Sequence, residues 1–89
     1  MNPYSEQQLS SNIKLRSFDP NAALNEDTWH RDANERVVVI IEGSGWKFQN
    51  EDQIPTDLLP GDVLTIPAQS WHRIMPGKDR LVVLVKEIF

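Results

Sequence analysis

Apolar residues in this chain come in short runs, cut by turn-forming residues too often to build helices of useful length. Ile13-Lys14-Leu15-Arg16 alternates apolar with polar, the period of a strand with one face in a core. Asp19-Pro20-Asn21 then presets a turn. A strand is predicted from Asp27 to Arg31, and another from Arg36 to Glu42, written RVVVIIE. Gly43-Ser44-Gly45 turns the chain into Trp46-Lys47-Phe48-Gln49. Asn50-Glu51-Asp52 turns it again, toward a short strand near Gln53-Ile54 and an extended piece through Leu58-Leu59. Leu59-Pro60-Gly61-Asp62 has proline then glycine in the order of a type II turn. Strands follow at Val63 to Pro67, Trp71 to Met75 and Leu81 to Val85, with Pro76-Gly77-Lys78-Asp79 turning between the last two. The polar stretch Met1 to Ser11 reads as a loose arm, leaving residues 12–89 as one domain. Evenly spaced short strands, about eight of them, predict an all-β antiparallel sandwich or barrel.

Val37 to Ile41 and Leu81 to Val85 are apolar at every position, so both faces of these strands need cover. One face lines the interior. The other asks for a second sheet or a second subunit, and a homodimer is the economical expectation. An internal echo adds topology. Trp29-His30-Arg31 precedes Arg36 and its β-branched strand, much as Trp71-His72-Arg73 precedes Arg80 and Leu81 to Val85. Two such units fit the paired Greek keys of a jelly roll. Strand alternation puts Trp29, Arg31, Trp71 and Arg73 on the face opposite His30 and His72, where the indoles pack or anchor an interface. Trp46 and Phe48 share a face and are expected inside the barrel.

Composition narrows the functions. With 89 residues the chain is near the lower end of what folds alone, and 39% apolar content is modest. Thirteen acidic residues against nine basic ones give net charge −4, which argues against nucleic acid or an anionic membrane as the main partner. No cysteine is present, which removes disulfides, thiolate catalysis and Cys-based zinc sites. The longest apolar run, Val37 to Ile41, is far short of a membrane span, and the polar N-terminus lacks a signal-peptide pattern. A cytoplasmic protein is the default expectation.

One segment carries a family likeness. Gly61-Asp62-Val63-Leu64-Thr65-Ile66-Pro67-Ala68-Gln69-Ser70-Trp71-His72 resembles the second motif of the cupin superfamily, G-x5-P-x-G-x2-H-x3-N. Gly61, Pro67 and His72 match in identity and spacing, Gln69 stands in place of the second glycine, and Pro76 in place of the asparagine. The first cupin motif, G-x5-H-x-H-x3-4-E-x6-G, aligns through Gly43 so that His30 falls on the first histidine, Asp32 on the second and Arg36 on the glutamate; the upstream glycine is missing. The likeness runs from Asp27 to Phe89 and implies a small antiparallel jelly-roll β-barrel, similar to the small single-domain bacterial cupins. It further implies a divalent-metal site at the motif positions, here His30, Asp32 and His72.

The chemistry of that set is coherent. His30 and Asp32 are two apart, hence on one face of a strand, and two histidines with one carboxylate suit Fe, Mn, Ni or Zn with positions left open. Arg36 cannot coordinate a metal. It either pairs with Asp32, withdrawing that ligand, or joins Gln69 in binding an anionic or polar small molecule. A metal-free binding or sensing module, or a structural dimer without catalysis, fits the same residues. An enzyme built on this site would be a metal-dependent oxygenase or isomerase of cupin type. No catalytic side chain is identified: Ser70 and His72 lack an acidic orienter, and Asp62 belongs to a turn.

Overall fold

The computed structural model describes residues 4–21 and 29–89. Eight strands run through them: β1 (Tyr4–Gln8), β2 (Ile13–Phe18), β3 (Glu35–Glu42), β4 (Lys47–Asn50), β5 (Thr56–Asp57), β6 (Val63–Ile66), β7 (His72–Met75) and β8 (Leu81–Ile88). They form an antiparallel five-stranded sheet in the order β1-β2-β8-β3-β6 and a three-stranded sheet in the order β5-β4-β7. The inner faces meet in a core of Phe18, Val38, Ile40, Trp46, Phe48, Leu58, Ile66, Leu81, Val83 and Val85. Among the described residues there is no helix, and none long and apolar enough to cross a membrane. The all-β jelly-roll expectation holds.

Alternation explains which side chains enter. In β3, Val38 and Ile40 are buried, and in β8, Leu81, Val83 and Val85 are. The intervening Val37, Val39, Val82 and Leu84 form the sheet's outer face. Trp46 is fully buried, and its indole N–H donates to the Asp79 carbonyl at 2.7 Å. Gly77 lies against this ring: a Cβ there would collide with the Ser44 carbonyl oxygen and with Trp46. Truncating a core aromatic such as Trp46 typically costs about 3–5 kcal/mol, so this is the tryptophan that holds the fold. Leu59 to Asp62 is the predicted turn. Gly61 has φ 94°, the Asp62 N–H donates to the Leu59 carbonyl at 2.9 Å, and the Asp62 carboxylate accepts from the Leu59 N–H at 2.9 Å.

Three local expectations are corrected. Tyr4–Gln8 is no loose arm: it is an edge strand paired with β2 over its whole length, from Tyr4↔Phe18 to Gln8↔Lys14. The strand near Gln53-Ile54 is absent, its place taken by a turn and bend, with the pairing made by Thr56–Asp57 instead. Of the strand placed from Asp27 to Arg31, the described residues 29–31 form a single bridge at His30; Asp27 and Thr28 lie outside the described residues.

Candidate metal centre

His30 and His72 meet as an antiparallel bridge. The His30 N–H donates to the His72 carbonyl at 3.0 Å, and the His72 N–H donates back to the His30 carbonyl at 2.9 Å. Their rings lie edge to face with centroids 4.4 Å apart. Antiparallel pairing sets Trp29 opposite Arg73 and Arg31 opposite Trp71 on the other side of the bridge. Each guanidinium lies over the facing indole, at 4.9 and 5.0 Å from the ring centroid. The twin Trp-His-Arg triplets are thus one structure with two faces: histidines inside, two reciprocal cation–π pairs outside. The outer tryptophans are 38% and 41% exposed, so neither is a core residue. Such pairs contribute about 0.5–1 kcal/mol each at exposed sites.

Asp32 follows His30 by two residues and reaches the same side. Its backbone carbonyl accepts from the Gln69 N–H at 2.8 Å, which pins the segment against the turn before β7. Its Oδ2 lies 3.3 Å from His72 Nε2 and 3.2 Å from Arg36 Nη1. Contact with His72 holds the Asp32 carboxyl below the ordinary aspartate range; burial opposes this, and the charges of Arg36, His72 and His30 add to it. That Oδ2 is buried without a well-formed hydrogen bond, since neither close nitrogen is aligned with it. His72 Nδ1 lies 3.1 Å from the Ser70 carbonyl, an acceptor only, so Nδ1 carries a proton, and Nε2 is the nitrogen turned toward Asp32. The Ser70 hydroxyl donates to the Pro67 carbonyl at 2.9 Å, which removes it as a nucleophile paired with His72.

His30, Asp32 and His72 each offer one ligand atom within 4.8 Å of the others. Bonds of about 2.1 Å to one ion need neighbouring donors about 3 Å apart, and the 3.3 Å His72–Asp32 edge already meets this. The donor set fits a divalent ion, with the buried Asp32 Oδ2 as its carboxylate. Arg36 is shared between Asp32 and Glu87. Its Nε and Nη2 donate to Glu87 Oε1 at 3.1 and 2.8 Å, while its approach to Asp32 is an ion pair without hydrogen-bond geometry. The anticipated Arg36–Asp32 pair therefore exists, but Glu87 takes the guanidinium's best-formed bonds. Glu87 went unnoticed in the sequence because it is delivered by register, Arg36↔Glu87, from the far end of the chain.

The barrel interior offers little room. A cavity of about 50 Å³ is lined by core apolar residues with Arg16, Arg36 and His72 as its polar members. That volume holds a few waters, whereas small-molecule sites run to hundreds of cubic ångströms. Gln69 is exposed and lies outside this lining.

No protein-family model and no curated protein matches the chain. Solved structures do. A cupin superfamily protein from Desulfitobacterium hafniense DCB-2 is 26% identical, with a TM-score of 0.67 over 97% of this chain and 76% of that one. The DMSP lyase crystal structures of RdDddP and RnDddQII give a TM-score of 0.72 at 19% identity, over 86% of this chain. A Co(II) complex of HppE with substrate gives 0.74 at 11% identity, over 99% of this chain. This chain spans 37% of the lyase chain and 56% of the HppE chain, so it corresponds to a part of each. What these likenesses establish is architecture: the chain has the cupin fold, in the form of one small jelly-roll barrel.

Proposed function

We propose that this protein binds a divalent metal through His30, Asp32 and His72 and presents the ion's open positions to a small ligand at the end of the barrel. The observation that carries this is the buried Asp32 Oδ2, lacking a well-formed hydrogen bond and 3.3 Å from the Nε2 of a histidine whose other nitrogen is already engaged. A bound ion would supply Lewis acidity or oxygen activation, the chemistry of an isomerase or oxygenase. The protein's own part is orientation: Ser70 fixes the His72 tautomer, Gln69 fixes the Asp32 backbone, and Glu87 holds Arg36 beside the carboxylate. The HppE complex, which carries Co(II), supports the reading at the level of fold. The test is metal analysis of protein prepared without a histidine tag, followed by melting with added Fe(II), Mn(II), Ni(II) or Zn(II). A stoichiometric metal, or a raised melting temperature that Asp32→Ala abolishes, is expected. Sub-stoichiometric metal together with no thermal shift from any of the four overturns it.

One observation favours a metal-free alternative. Arg36 at 3.2 Å and His72 at 3.3 Å already surround Asp32 with cationic or donor groups, enough to keep its charge balanced without an ion. In that case the same cluster recognises a polar ligand directly, and the metal titrations separate the two readings.

We also propose a homodimer formed through the outer face of the large sheet. One row across that face reads Gln7, Leu15, Leu84, Val39 and Val63, each paired with the next. Val63 is 62% exposed and Ile41, further along β3, is 45% exposed. Strands about 4.8 Å apart make this patch about 20 Å wide, the footprint from which interfaces burying roughly 800 Å² per subunit are built. The central row is uncharged, and an isologous contact needs only such a self-complementary surface.

A further inference from the structure

The metal site as assigned uses three residues, and the small sheet brings a fourth polar side chain beside them. Asn50 ends β4, and its Cα is the direct partner of His72 across the β4–β7 ladder. Directly opposed residues share a face. Phe48, two residues earlier in β4, is buried and its ring stacks on that of His72 with centroids 5.7 Å apart. Alternation therefore turns Asn50 inward as well, while Gln49 between them faces outward and accepts from Arg73 Nε at 2.8 Å. Asn50, His72 and His30 thus form one inward row across three adjacent segments of chain.

The amide of Asn50 has a direction. Its Nδ2 donates to Gln53 Oε1 at 3.4 Å, which leaves Oδ1 as the group turned away from that contact. Among the described residues, two buried side-chain oxygens or nitrogens lack a hydrogen-bond partner: Asn50 Oδ1 and Asp32 Oδ2. They belong to the two residues that flank His72, one across the ladder from it and the other 3.3 Å from its Nε2. Buried acceptors left unpaired destabilise a fold, and the great majority in native proteins are satisfied. Asp32 Oδ2 is at least ion-paired with Arg36, but Asn50 Oδ1 has no partner on its side of the histidine, where a donor would satisfy it.

Resting on the metal reading above, we propose that Asn50 is a positioning residue of the metal centre. Its Oδ1 accepts a hydrogen bond from a water, hydroxyl or amine held on the open side of the ion. It thereby strengthens metal binding and selects ligands that carry a hydrogen-bond donor. Asn50 stands one strand spacing, about 4.8 Å of backbone, from His72 and two from His30, at the side of the cluster rather than between its ligands.

Co(II) is the probe, because its visible bands report on the groups around it. Wild-type, Asn50→Ala, Asn50→Asp and Asp32→Ala proteins, all without a histidine tag, are titrated with Co(II) by calorimetry and absorption, and melted as apo-proteins. The expected result for Asn50→Ala is a loss of Co(II) affinity of about tenfold or more with displaced visible bands. Its apo melting temperature stays equal or rises, because an unpaired acceptor has been removed. Asn50→Asp, which keeps an oxygen in place, retains or gains affinity. Wild-type affinity and spectrum in Asn50→Ala, alongside abolished binding in Asp32→Ala, overturns the role of Asn50 and leaves the metal site standing. A marked fall in the apo melting temperature of Asn50→Ala also overturns it, by making the residue structural. A wild-type protein that takes up no Co(II) overturns the metal reading and this inference with it.

Discussion

Gln69 holds φ 64°, a left-handed conformation that a residue with a Cβ adopts at a cost and glycine adopts freely. The position is where the resembling motif carries glycine, and the backbone N–H it presents is the one bonded to the Asp32 carbonyl. Gln69→Gly should accordingly stabilise the protein by about 0.5–1 kcal/mol, read as a rise of several degrees in melting temperature. It should leave metal affinity unchanged, since the contact is made by backbone. A fall in stability would show that the glutamine side chain has a partner that matters. At this scale much of the site was legible. His30, Asp32 and His72 follow from motif spacing and two-residue alternation, and the structure brings all three together. Asn50 and Glu87 were not legible, because each reaches the cluster through cross-strand register, which a linear pattern does not contain. Asn50 was further hidden by its neighbours, since Asn50-Glu51-Asp52 reads as turn chemistry.

Strand β1 shows what a hydrophobic pattern misses at the level of the element. Its sequence, YSEQQ, has one large apolar residue, so no alternation betrays it. It is held instead by its inward side chains: Tyr4 packs on Phe18 at 5.2 Å between ring centroids, Arg16 lies over the Tyr4 ring at 4.4 Å, and Glu6 accepts from Arg16 Nε at 2.6 Å. Burial pushes the Glu6 carboxyl up, but the hydrogen bond and charge of Arg16, joined by Lys14, outweigh it and leave the group below the ordinary glutamate range. A depressed folded-state pKa contributes stability that is present above the unfolded value and lost as pH falls through the folded one. Glu6→Gln should therefore cost under about 1 kcal/mol near neutrality, small because the pair is partly solvated, and the difference from wild type should vanish in acid, once the folded-state carboxyl is protonated. Denaturant melts at neutral and acidic pH check this. A cost that is equal at both would show that the carboxylate's charge is irrelevant to β1. The segments whose apolar residues alternate or run together, β2, β3, β6, β7 and β8, were readable from the pattern along the chain to within a few residues.

At the level of the whole molecule, the doubly apolar character of β3 and β8 accounts for both sides of the large sheet. Their inner residues make the core, and their outer residues make the patch proposed to join two copies. Leu84→Glu, placed in the middle of that row, should give a monomer of 10.2 kDa by sedimentation equilibrium while keeping the strand spectrum of the fold. Wild-type protein that sediments as a monomer at micromolar concentration would overturn the dimer. The order of the large sheet has one further consequence, for how the molecule is made. The central strand β8, bonded on one side to β2 and on the other to β3, is the last of the eight to leave the ribosome. Until Leu81–Ile88 emerges, β2 and β3 have no partner between them, and each offers an open, apolar edge of the kind that recruits other chains. Closure of the large sheet thus waits until β8 has emerged, and a nascent chain stalled before β8 leaves those two edges open.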